Sequence, residues 1–244
     1  MIAAYSGKFL KHMINHSFFH SRLTSKELVW GWRYLLFQAV FLPSLLTLFN
    51  SMLPSPLSAA ALNFLFFSIN LGAAILIFHR YLGQFFRPDG KKLLCIFAIA
   101  AILFAVCQGC SFGIGKLFSS VFEEFSNIND QSIAAMTKEN YALMFLCTVC
   151  FAPITEECFY RGLIFRGLYE RSPLAAWLVS VILFSFIHIM NYIGSYPAVT
   201  LFLCFLQYVP AGICLAAAYR LSGSLLSPIL IHAAVNAVGM LSLR

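Results

Sequence analysis

Glu156, Glu157, Arg161, His188 and His232 are ionisable side chains set within long apolar runs, with Asn236 as a polar companion. Charge inside hydrocarbon is expensive, so each is a functional candidate by default. Glu157 and Arg161 are four apart with the acid first, a spacing that pairs them on one helical face. Glu156 projects about 100° away and is free for other work. A structural ion pair at a helix end accounts for Glu157 and Arg161 but leaves Glu156 unexplained. His232 and Asn236, again four apart, share a face, and His188 closes the run Phe184-Ser-Phe-Ile-His188. A carboxyl desolvated in a bundle suits general-base work near neutral pH. A lone membrane histidine is more often a hydrogen-bonded structural residue; two histidines, a Glu pair and an Asn on three helices are harder to dismiss.

The elements that carry them are read from hydropathy. Of the 244 residues, 61% are hydrophobic and only 10% charged, with a mean hydropathy of +0.84. Soluble domains carry about a quarter charged residues, so an ordinary water-facing surface is excluded. Apolar segments of spanning length run approximately over 33–53, 58–79, 93–117, 141–165, 173–193, 198–219 and 224–243. Only helices satisfy the backbone at that depth without a strand pattern. The expected fold is all-α: a polytopic transmembrane bundle of about seven spans, with an interfacial helix over residues 5–22. In that helix Phe9, Leu10, Met13 and Ile14 oppose Lys8, His12, His16 and His20. The histidine stripe reads as a headgroup-level polar face rather than a metal site, because no Asp, Glu or Cys joins it. Residues 1–140 hold this helix and three spans; residues 141–244 form a four-helix catalytic core, within one structural domain. Measured at about 1.5 Å per residue, Glu156, His232 and His188 lie about 15, 12 and 22 Å from the cytoplasmic helix ends, depths that helix tilt can reconcile.

The net charge is +7, and the basic residues cluster between apolar runs. Lys8, Lys11, Arg22, Lys26 and Arg33 precede the first span. Arg80, Arg87, Lys91 and Lys92 follow the second, and Arg166 and Arg171 the fourth. The pattern places the N-terminus in the cytoplasm and makes lipid headgroups, not nucleic acid, the partner of the positive charge. The first apolar run is too long for a signal-peptide core. The eight cysteines, including the pairs Cys107/Cys110 and Cys147/Cys150, fall almost entirely in apolar runs and read as free thiols. Gly109 and Gly113 form a step expected to pack closely on another helix. Pro210 with Gly212 is expected to bend the sixth span.

Glu-Glu-x-x-x-Arg at 156–161, Phe-x-x-x-His at 184–188 and His-x-x-x-Asn at 232–236, in that order on successive helices, resemble the CPBP family. This is the type II CAAX prenyl endopeptidase and bacteriocin-processing or self-immunity family. The likeness covers about residues 150–240. It implies an intramembrane endopeptidase in which Glu156 and His188 activate water, His232 and Asn236 hold the oxyanion, and Glu157 and Arg161 support them. The family has been described both as metalloproteases and as glutamate-type proteases. No HExxH motif is present, and the metal-free route is favoured; were zinc bound, Glu156, His188 and His232 would be its ligands. The expected setting is a bacterial inner membrane, and the expected substrate a peptide or membrane-anchored protein rather than a prenylated one. The competing readings are a catalytically silent scaffold or self-immunity protein and a small proton-coupled transporter. The transporter lacks the inverted repeat such folds often show.

Overall fold

The computed structural model describes residues 22–85, 90–122 and 125–244. The interfacial helix expected over 5–22, with its histidine stripe, lies almost wholly outside the described residues. The helices are α1 (Ser25–Val40), α2 (Leu42–Ser51), α3 (Ala59–Gly83), α4 (Gly90–Val121), α5 (Ile128–Glu139), α6 (Tyr141–Tyr169), α7 (Pro173–Met190), α8 (Ala198–Ser222) and α9 (Leu226–Ser242). The fold is all-helical, and no strand occurs among the described residues. Every expected span coincides with a helix. Five of these helices are long and apolar enough to cross a membrane, and α1 with α2, bent by 47°, brings the number to six when the pair is counted as one span. α9 is apolar but shorter, at 17 residues.

Helix ends follow from local chemistry. Thr24 and Glu27 form a capping box on α1. Asn140 and Ser172 accept backbone N–H groups at the starts of α6 and α7. Gly223, at φ +62°, ends α8 in the left-handed region that glycine enters without a Cβ penalty. Glu139, at the end of α5, accepts from the Ala60 N–H at 2.9 Å, which puts a carboxylate on the positive end of α3.

α6 is the central helix. Cys158 to Phe165 are all buried. Phe159, Leu163 and Phe165 pack with Phe78 and Tyr81 of α3 and Tyr219 of α8. Tyr160 and Ile164 pack with Ala100 of α4, Phe184 of α7, Leu215 of α8 and Ile231 of α9. A helix enclosed on all sides must be apolar all round except where its polar groups find partners. The outer faces are apolar too: Leu76, Leu94, Phe112 and Leu174 are exposed, as suits contact with hydrocarbon.

The packing expectation for Gly109 and Gly113 is not met among the described residues. A Cβ built on Gly109 or Gly113 meets nothing within 4 Å, so no described residue packs closely on that step. Those glycines lie on an outward face of α4, next to exposed Phe112, rather than at a helix crossing. Gly212 does serve close packing: a Cβ there would lie 3.1 Å from Val181 Cγ1 of α7. α8 runs as one helix through Pro210.

Candidate active site

α6 changes pitch twice around its acidic pair. Leu146–Phe151 and Cys158–Phe165 are π-helical, and Ala152–Glu157 between them is α-helical. Proline has no N–H and clashes with the carbonyl four residues back in an α turn. The wider turn before Pro153 avoids that clash. It also exposes a carbonyl. The Ala152 N–H bonds to the Cys147 carbonyl, so the next partner in the same register, for Thr148, would be the N–H that Pro153 lacks. Asn236 of α9 fills the gap, donating Nδ2–H to the Thr148 carbonyl at 2.8 Å. One amide hydrogen of Asn236 is therefore committed to the scaffold, and the other remains for a ligand.

Glu157 and Arg161 pair as their spacing implies, at 3.0 Å and with both side chains fully buried. Arg161 reaches further than the sequence suggests. It donates to the Gly212 carbonyl of α8 at 3.1 Å and lies 4.4 Å from the centre of the Phe184 ring of α7. Glu157 also accepts from His232: Oε1 is 2.9 Å from Nδ1. Glu157 thus binds Arg161 and His232 through one oxygen, joining α6 to α9. An ionised carboxylate only accepts, so Nδ1 of His232 carries the hydrogen. Its Nε2 is then turned toward Glu156, 3.9 Å from Oε2: too long for a hydrogen bond, but close enough for strong charge coupling.

His188 is oriented in the same manner. Its Nδ1 lies 2.8 Å from the Phe184 carbonyl, which can only accept, so Nε2 is the free nitrogen of the neutral ring. Phe184 explains the Phe-x-x-x-His spacing: its carbonyl fixes His188, its ring meets His232 edge-on at 5.7 Å, and Arg161 lies over its face. Glu156, His188, His232 and Asn236 all line one cavity of about 530 Å³ that extends past α2, α3 and α5. Glu157 and Arg161 do not line it; they lie behind the wall and hold it in place. The four residues with expected catalytic roles are therefore gathered around one space, although no contact joins His188 directly to Glu156.

Metal ligation is a separate question. Among the described residues, no group of three or more His, Cys, Asp or Glu side chains is placed to hold a metal ion. Glu156, His188 and His232 border the same cavity without converging as a ligand set, and the Cys pairs do not assemble either. The eight cysteines are free.

Residues 138–238 match a family model described as Type II CAAX prenyl endopeptidase Rce1-like. This stretch is similar to that family, in line with the resemblance carried by the motifs. No curated protein matches the chain, and no solved structure does. The matched stretch contains all six site residues named from the motifs, and its long apolar helices are those of an integral membrane protein. Part of its cavity wall comes from outside the matched stretch: Asn63 and Asn70 of α3 and Asp130 of α5 line the same space.

Tyr208 and Asp130 were not legible as site residues. A tyrosine in an apolar run reads as packing, and Asp130 reads as loop charge. Tyr208 stacks on His188 with centroids 4.0 Å apart and planes 20° apart. Its hydroxyl lies 3.1 Å from Asp130 Oδ1 and accepts from Asn129 Nδ2 at 3.0 Å. Burial raises the Asp130 carboxyl above its usual range, and the Tyr208 hydrogen bond partly offsets that. Tyr208 positions the His188 ring and is itself held by α5. Tyr208→Phe keeps the stack and should retain most activity. Tyr208→Leu removes it and should lower kcat by up to about 10²-fold with little change in KM, since small misplacements of a reacting group cost that much. Steady-state kinetics on the two variants checks this, and equal kcat for both would refute the positioning role.

Proposed function

We propose that the protein hydrolyses a peptide bond of a membrane-associated peptide or protein, with Glu156 as general base. The observation that supports this reading best is the placement of Glu156. Glu156 borders the cavity, and its buried Oε2 has no hydrogen-bond partner and lies 3.9 Å from an imidazole whose other nitrogen is held by buried Glu157. Glu156 takes a proton from water while the free Nε2 of His188 accepts the water's second hydrogen as a hydrogen bond. The resulting hydroxide adds to the scissile carbonyl carbon. Charge then develops on the carbonyl oxygen, met by the uncommitted amide hydrogen of Asn236 and by His232. With Nδ1–H given to Glu157, His232 donates through Nε2 only as an imidazolium. Glu156, Glu157, Arg161 and that imidazolium sum to zero charge, which suits a buried cluster. Glu156 then passes its proton to the departing amine, so one water is consumed and an acid and an amine are released.

The experiment is cleavage of a synthetic peptide library, with and without a farnesylated cysteine, by purified protein in detergent, read by mass spectrometry. Cleavage at defined bonds that is lost in Glu156→Gln supports the reading. Wild-type protein no more active than Glu156→Gln would overturn it. The mechanism needs no metal, so activity should survive chelators and the purified chain should lack stoichiometric zinc. About one tightly bound zinc per chain, lost together with activity in His188→Ala, would reverse that part. The substrate would then be sought among zinc-dependent cleavages.

A further inference from the structure

The oxyanion donor set described above draws one hydrogen from each of two residues. Asn236 has one hydrogen committed to the Thr148 carbonyl, and His232 has one committed to Glu157. A third hydroxyl or amide donor on the cavity wall would add to it. Thr155 is buried to 3% exposure, borders the same cavity, and its Oγ1 has no hydrogen-bond partner. Buried polar side chains nearly always find partners, so each exception calls for an explanation. Among the described residues the unpartnered buried side-chain atoms are Thr155 Oγ1, Glu156 Oε2, Glu157 Oε2, Arg161 Nε and Ser185 Oγ. Four of these five lie between residues 155 and 161, so the penalty is concentrated at the acidic pair rather than scattered through the fold.

Thr155 sits in the short α-helical stretch Ala152–Glu157, held between the two π-helical stretches. Threonine in a helix commonly turns its hydroxyl back to the carbonyl one turn earlier, as Thr137 does with the Ile133 carbonyl at 2.7 Å. Thr155 makes no such bond. Its hydroxyl hydrogen is therefore uncommitted in a residue that borders the cavity, and β-branching restricts the rotamers it can adopt.

We propose that Thr155 is a further catalytic residue, whose hydroxyl donates a hydrogen bond to the scissile carbonyl oxygen as it becomes the oxyanion. The inference rests on the hydrolytic reading given above. No proton is transferred in this step: the hydrogen stays on Oγ1, and the bond shortens as charge builds on the substrate oxygen. Glu156, the adjacent residue, serves the other side of the same carbon by delivering hydroxide. A donor aimed at charge that exists only in the transition state raises kcat rather than ground-state affinity.

Thr155→Val keeps the shape and removes the hydroxyl; Thr155→Ser keeps the hydroxyl. Both are assayed on the fastest-cleaved library peptide and on its phosphinate analogue, a tetrahedral anion in place of the scissile amide. The expected result for Thr155→Val is a fall in kcat of about 10²-fold with KM nearly unchanged, and a matching loss of affinity for the phosphinate. Its melting temperature should equal or exceed the parent's, because an unpaired buried hydroxyl has been removed. Thr155→Ser should recover most of the activity. Full activity in Thr155→Val overturns the proposal while leaving the hydrolytic reading standing. So does a loss of activity that tracks a lowered melting temperature, because that marks a structural hydroxyl. Wild-type protein that cleaves no library peptide overturns the hydrolytic reading, and the role of Thr155 with it.

Discussion

Glu156→Gln should fold as the parent does and cleave about 10²–10⁴-fold more slowly, the usual worth of a general base, with larger losses where residues act as a unit. Glutamine keeps the volume of the side chain and cannot take up the water proton. It also removes the negative charge 3.9 Å from His232 Nε2. Stability should not suffer. The Oε2 atom of Glu156 is buried without a hydrogen-bond partner, so neutralising it relieves a desolvation cost rather than breaking a contact. The pairing of Glu157 with Arg161 and His232 is untouched. Single-turnover cleavage beside melting curves in detergent separates the two effects. A fully active Glu156→Gln protein would sink the general-base assignment, and a poorly folded one would show that Glu156 is part of the scaffold.

Much of this site was readable from spacing. The four-residue interval from Glu157 to Arg161 and that from His232 to Asn236 each define a helical face, and the unmatched Glu156 follows by elimination. The apolar runs located every helix that carries a motif residue, but not α5, which completes the cavity wall. What spacing could not reveal were contacts between helices. His232 was assigned with Asn236 because they share a face, yet its strongest contact is to Glu157 of another helix. Arg161 was assigned one partner and has contacts on three helices. The π-helical stretches were also illegible, although Pro153 within an apolar run is the local signal for a disturbed turn. Glu27 lies among the basic residues that precede the first span. The pattern Thr24-x-x-Glu27 before an apolar run marks a capping box, and that much was available. Its second role was not: Oε1 accepts from the Tyr81 N–H at 2.8 Å, near the non-helical Phe78 in α3. This bond ties the start of α1 to the end of α3, and no single-helix argument would find it.

Arg161→Ala should lower both activity and stability, in contrast to Glu156→Gln. The guanidinium is fully buried, and three contacts depend on it: Glu157 of its own helix, the Gly212 carbonyl of α8 and the Phe184 ring of α7. Truncation leaves a buried carboxylate with His232 as its remaining partner and removes a bond to α8. Breaking a buried pair in this way costs about 3–5 kcal/mol, because the stranded charge keeps its desolvation penalty. The melting temperature in detergent should drop clearly, and expression with it. A second variant distinguishes charge from packing. Glu157→Gln combined with Arg161→Met removes both charges and fills the volume, and such replacements are often neutral for stability. The double variant should therefore melt higher than Arg161→Ala. It should still be inactive, because glutamine at 157 removes the carboxylate charge that lies 2.9 Å from His232 Nδ1. Normal stability in Arg161→Ala would show that the ion pair is not structural. Activity in the stable double variant would remove Glu157 from the chemistry and leave Glu156, His188 and Asn236 to carry it.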